Sequence, residues 1–148
     1  MVLARFADYV RRSGGEIATS GGAIVDETGM PSWPLADAGA WEGDAGELRF
    51  SGAVRYFAHF GALDVPVVDP VLRVADGRGE LAIPHPSAPG ALLPLARFAW
   101  RPLRGLGRGR AWVGDEVTLV EDAVHLFGGS YPSGMPLDSL IVVIDISQ

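Results

Sequence analysis

The chain has 148 residues, 48% of them hydrophobic and 20% charged, which is enough to bury one core and too apolar for a disordered protein. Its net charge of −6 argues against a nucleic-acid partner, and the lack of cysteine excludes disulfides, thiolate metal sites and a cysteine nucleophile. With 20 glycines and 11 prolines it is punctuated too often for a helical bundle, so a single, mainly β (α+β) domain over residues 1–148 is expected.

In chain order, residues 2–13 predict a helix. Val2, Phe6, Tyr9 and Val10 recur on one helical face, and Gly14-Gly15 supplies the stop. Arg5, Asp8, Arg11 and Arg12 interrupt the apolar pattern, so the segment is not the apolar core of a signal peptide. No apolar run is long enough to cross a bilayer, the densest being LIVVI at 140–144. A cytoplasmic protein without membrane insertion is therefore expected. The helix pattern points Tyr9 inward, either as a core tyrosine or as a working group.

From Glu16 the pattern turns to strands. EIATSGGAIVDETG reads as one weak strand or a hairpin, and MPSWPLADAGAWEGDAG as a long connection of the kind that carries binding residues. The strongest strand signal is ELRFSGAVRYFAHF, a break at Gly61, ALDVPVV, a turn at Asp69-Pro70, VLRVAD, a turn over Gly77–Gly79, and ELAI. ARFAW, EVTLV and DSLIVVIDI follow. Many short strands at even spacing predict an antiparallel β-sandwich-like domain with the N-terminal helix and one or two further short helices. In residues 53–60, alternation puts Val54, Tyr56, Ala58 and Phe60 on one face. Arg55, Phe57 and His59 take the other, which reads as the wall of a partly apolar pocket.

Several motifs fail on chemistry. His59, His85 and His125 have no zinc spacing. RGLGRGR lacks the third glycine of a dinucleotide fingerprint and its βαβ setting. FGGSYPSG has Pro132 where a nucleophile elbow needs glycine. Asp64, Asp69, Asp76 and Glu80 read as turn formers and solubilisers. Arg101, Arg104, Arg108 and Arg110 read as a solvated loop or as an anion-facing patch. What remains is Tyr9 and His59, which spacing alone does not pair. A phenolate is a hard donor suited to ferric iron, and an imidazole beside it would fix its orientation.

LRFSGAVRYFAHFGALDVPVVDPVLRV resembles the signature of the HtaA-type haem-binding domain of actinobacterial haem uptake, roughly G-x-V-x-F-x-x-H-x-G-x-L-D. Gly52, Val54, Tyr56, His59, Gly61, Leu63 and Asp64 fall on it. RFADYV resembles the family's N-terminal helix and LFGGSYPSGMPLDSL its closing segment. The resemblance implies ferric b-type haem held by Tyr9 as iron ligand, with His59 hydrogen-bonded to the phenolate. Phe6, Phe57 and Tyr131 would wall the pocket. Arg5 stands where the family has serine, and there it either meets a haem propionate or closes the pocket's mouth. Family members are typically secreted or surface-anchored. The role implied is haem transport, storage or transfer, with a haem donor or acceptor protein as partner and a homodimer left open. The alternative is an intracellular enzyme on the same scaffold. It would use haem for oxidative chemistry, or would work without haem with Tyr9 and His59 as an acid/base couple. A third reading is a structural domain that has lost the ligand.

Overall fold

The computed structural model describes residues 14–25, 31–58, 63–103, 109–123, 134 and 139–145. The chain runs β1 Glu16–Ser20, β2 Ile24–Val25, β3 Pro31–Ser32, β4 Leu35–Glu42, β5 Ala45–Phe50, β6 Ala53–Ala58, β7 Leu63–Val68, β8 Val71–Ala75, β9 Arg78–Pro84, β10 Leu92–Leu103, β11 Gly109–Leu119 and β12 Leu140–Asp145, with a 3-10 turn at Glu121–Ala123. Every strand pair is antiparallel. A seven-stranded sheet has the order β12-β11-β10-β9-β8-β5-β4, a three-stranded sheet the order β1-β6-β7, and β2 and β3 form a small pair.

The sheets share one core. Val54, Tyr56, Val65 and Val67 of the small sheet are fully buried together with Leu48, Leu72, Leu81, Leu95, Trp112 and Leu140 of the large one. The alternation that hides Val54 and Tyr56 turns Arg55 and Phe57 to the opposite face of β6. Local signals fix several joints. Asp76-Gly77 has positive φ at both residues (54° and 74°) between the paired Ala75 and Arg78, the two-residue turn that an Asp-Gly step favours.

The large sheet curls until its ends meet. Along the order of strands, β4 and β11 stand five spacings apart, roughly 24 Å in a flat sheet. Yet the Trp41 ring of β4 meets the Trp112 ring of β11 edge-on, with centroids 5.4 Å apart, and Trp100 of β10 at 5.9 Å. Asp44, in the β4–β5 turn, closes the gap: its Oδ1 accepts hydrogen bonds from Trp112 Nε1 (2.8 Å) and Arg110 (3.0 Å).

The chain passes from β5 in the large sheet to β6 in the small one at Ser51-Gly52, and returns to β8 at Asp69-Pro70. These two corners lie side by side. Asp69 Oδ1 accepts from the Gly52 amide at 2.9 Å, while the Asp69 amide donates to the Gly52 carbonyl at 2.8 Å. Gly52 is required there: its φ is +107°, and an added Cβ would lie 2.6 Å from the Ala23 amide nitrogen.

The expected fold class is corrected by this arrangement. In place of a sandwich-like α+β domain with helices, the described residues are nearly all strand, in a curled sheet, with no α-helix and only the turn at Glu121–Ala123. The N-terminal helix predicted over 2–13 lies outside the described residues. Two segments read as connections are strands for identifiable reasons. MPSWPLADAGAWEGDAG contains β4, whose inward residues are Leu35, Ala38 and Trp41, three apart instead of two. Register shifts against β5 between Leu35 and Asp37, and between Asp37 and Ala40, insert the extra residues that break the period. Its tryptophans are structural: Trp33 is buried with Nε1 donating to the Val67 carbonyl, and Trp41 packs on the core. In RPLRGLGRGR the two ends belong to long strands, β10 up to Leu103 and β11 from Gly109.

Candidate functional site

The outward face of the small sheet carries the described part of the sequence-predicted site. Cross-strand pairing sets three rows on it. Phe57 lies between Glu16 and Asp64, Arg55 between Ala18 and Pro66, and Ala53 between Ser20 and Val68. The residues around Arg55 and Phe57 are mostly small, so this face is a low platform with one aromatic ring and one guanidinium standing on it. Phe57 is half-buried and Val68 is 39% exposed.

Arg55 reaches diagonally across the β6–β7 hairpin to Asp64 and makes both bonds of a fork, Nε at 2.7 Å and NH2 at 2.6 Å. Its guanidinium also lies 4.7 Å from the centre of the Phe57 ring. The hydrogen bonds from Arg55 hold the Asp64 carboxyl below the usual carboxylate range, and Asp64 in turn raises the Arg55 pKa. Both charges are thereby committed to each other, and Arg55 presents its flat side over an aromatic ring.

Of the site residues expected from sequence, Phe57 is on this platform. Tyr9, His59, Arg5, Phe6 and Tyr131 lie outside the described residues. The inward and outward assignments from Val54 to Phe57 hold as alternation required. Sequence reading missed the role of Asp64, taken as a turn former. It faces Phe57 across the hairpin and grips Arg55. Sequence offers only two opposite charges flanking the break at Gly61; the register that pairs Arg55 with Pro66 and Phe57 with Asp64 is what sets them on one face. Asp69 does serve a turn, by capping Gly52, whereas Glu80 sits within β9 and pairs with Arg97 at 3.8 Å. The basic run at 101–110 is not one convergent patch at its described ends. Arg101 is held by Asp115 at 2.9 Å and Arg110 by Asp44. Among the described residues no three His, Cys, Asp or Glu side chains cluster as a metal site, and no helix is long and apolar enough to cross a membrane. His85, in the β9–β10 turn, accepts the Ser87 amide on Nδ1.

The chain is similar over most of its length to solved bacterial structures. One is the C-terminal domain of HtaA from Corynebacterium glutamicum, 20% identical, covering 96% of this chain and 90% of that one with a TM-score of 0.68. A domain-swapped dimer of a variant of that domain matches at 18% identity, covering 97% and 92%, with a TM-score of 0.66. The haem-binding protein HtaB of the same organism matches at 16% identity, covering 97% and 92%, with a TM-score of 0.68. No curated protein sequence matches the chain. At these identities the structures establish the fold. The family model for HtaA (Htaa) matches residues 2–143, nearly the entire chain, and on that match the protein belongs to the HtaA family.

Proposed function

We propose that the protein binds ferric b-type haem on the outward side of its small sheet, with Tyr9 as the iron ligand and His59 hydrogen-bonded to the phenolate. The observation that carries this reading is the half-buried Phe57 ring on a low platform, two residues before His59, in a chain of the HtaA family. HtaB, which shares the fold, is a haem-binding protein. Haem asks for a flat apolar surface, a donor for the iron and a cation for its propionates. Ala18, Ala53 and Pro66 keep the platform low, and Phe57 supplies an apolar wall. Arg55 is bound to Asp64 by a two-point fork and is not a free propionate partner, so that role falls to Arg5. Phe6 and Tyr131 complete the walls. A tyrosinate ligand suits transport or transfer, because an anionic oxygen donor favours Fe(III) and is weakened when the iron is reduced. A haem donor or acceptor protein then completes the cycle.

The test is an absorption titration with haemin. The wild-type chain is expected to form a ferric complex with a Soret band. Tyr9→Ala should lose it, with affinity down by roughly a hundredfold or more, and His59→Ala should weaken it by about tenfold, as removing a group that orients a metal ligand does. A Tyr9→Ala titration indistinguishable from wild type would remove Tyr9 from the ligand position.

A further inference from the structure

On the side turned away from the small sheet, the middle of the large sheet is rich in arginine, in a chain whose net charge is −6. Strands β8, β9 and β10 carry four arginines, Arg73, Arg78, Arg97 and Arg101, against one carboxylate, Glu80. All four arginines are exposed; pairing sets Arg73, Glu80 and Arg97 on one face, and alternation along β9 and β10 adds Arg78 and Arg101. Three neighbouring acids are already engaged, whereas Asp76, in the β8–β9 turn, makes no ion pair among the described residues. Glu47 is shared between Arg49 (3.1 Å) and Arg73 (3.4 Å), Glu80 lies 3.8 Å from Arg97, and Asp115 is 2.9 Å from Arg101. The Arg78 side chain makes no ion pair or hydrogen bond among the described residues. It borders a shallow depression of about 270 Å³ with Arg73, Arg97 and Glu80, over Gly46 and Ala75.

We propose that this face docks an acidic segment of a partner protein, one carboxylate of which enters the depression between Arg73, Arg78 and Arg97. The shape favours a protein over a small molecule. The depression is shallow, and the charged band runs from Glu47 on β5 to Asp115 on β11, four strand spacings or roughly 19 Å along the sheet. Small-molecule sites are deeper and enclose most of their ligand. The charge pattern favours a polypeptide over a nucleic acid. Carboxylates interrupt the arginines, which would oppose a run of phosphates, and β8–β10 present no outward aromatic ring for a base to stack on. The geometry also suits a carrier: a partner seated here leaves the Phe57 face clear, because the two faces lie on opposite sides of the core.

The test uses the full chain labelled with nitrogen-15 and, as probe, an acetylated peptide of about twelve residues alternating Glu and Ser, at low ionic strength where steering by exposed charges is strongest. Amide signals of β8–β10 are expected to shift. Arg78→Glu should weaken the peptide by about tenfold. Ser87→Glu combined with Ala91→Glu changes net charge equally, at the exposed β9–β10 turn, and should weaken it by less than about twofold. Absence of binding, shifts elsewhere, or equal loss in both variants would overturn the proposal. So would tighter binding of a thymidine oligonucleotide to these strands. Haemin titration serves as an independent arm: it should be unchanged in Arg78→Glu, and a changed titration would assign the face to the haem site instead. The docking face and the haem site therefore stand or fall separately.

Discussion

At the scale of single residues, the Arg55–Asp64 fork decides how the platform behaves with pH. Asp64 has its carboxyl lowered by hydrogen bonds from Arg55, so its contribution to stability is present above the unfolded value of about 3.9 and is lost as pH falls through the lower folded value. The expected outcome is a carboxyl carbon titration of Asp64 with its midpoint below that of an ordinary aspartate. In Asp64→Asn the stability difference from wild type should shrink as the solution is acidified past that midpoint. Both side chains are substantially exposed, 50% for Arg55 and 35% for Asp64, so salt should reduce the difference as well. A midpoint at or above the ordinary value would show the fork to be absent in solution. The alternation from Val54 to Phe57 was legible in sequence because a half-buried strand has a strict two-residue period. Asp64 was not, because one charge beside a break reads as a turn former until its cross-strand partner is known.

At the scale of elements, what could be read depended on whether a strand kept its period. The Asp-Gly turn, the segment around Val71–Ala75 and the final apolar strand were plain from local pattern. β4 was hidden by its two bulges, which space Leu35, Ala38 and Trp41 in a manner that belongs to neither helix nor simple strand. ELRFSGAVRYFAHF carries no break in its strand pattern before Gly61. It is two strands in different sheets, because Gly52 turns a corner that only contacts with Ala23 and Asp69 define. Gly52→Ala tests that corner. The side chain must be held at φ +107° and accommodated against Ala23, so a loss of about 1–3 kcal/mol is expected, read as a lower urea midpoint with an unchanged slope. A midpoint equal to wild type would mean that the corner relaxes freely.

At the scale of the whole molecule, closure of the curled sheet was out of reach of sequence, since it depends on Trp41, Trp100, Trp112 and Asp44 meeting from strands far apart in sheet order. Asp44→Ala leaves the Nε1 of Trp112, which is 1% exposed, without its acceptor and should cost roughly 1–3 kcal/mol in chemical denaturation. Asp44→Asn keeps an acceptor oxygen and should cost clearly less. Equal losses would mean that charge, and not the indole bond, fastens the closure. The paired corners at Gly52 and Asp69 bear on how such a scaffold diversifies. β5 and β8 are hydrogen-bonded neighbours, so β6 and β7 form a detour that leaves the large sheet and comes back to the adjoining strand. Substitutions on the outward face of β6 and β7 need not disturb the register of the seven strands behind them. A lineage can thus change that outward face while inheriting the frame intact, which is one way a fold persists at 20% identity.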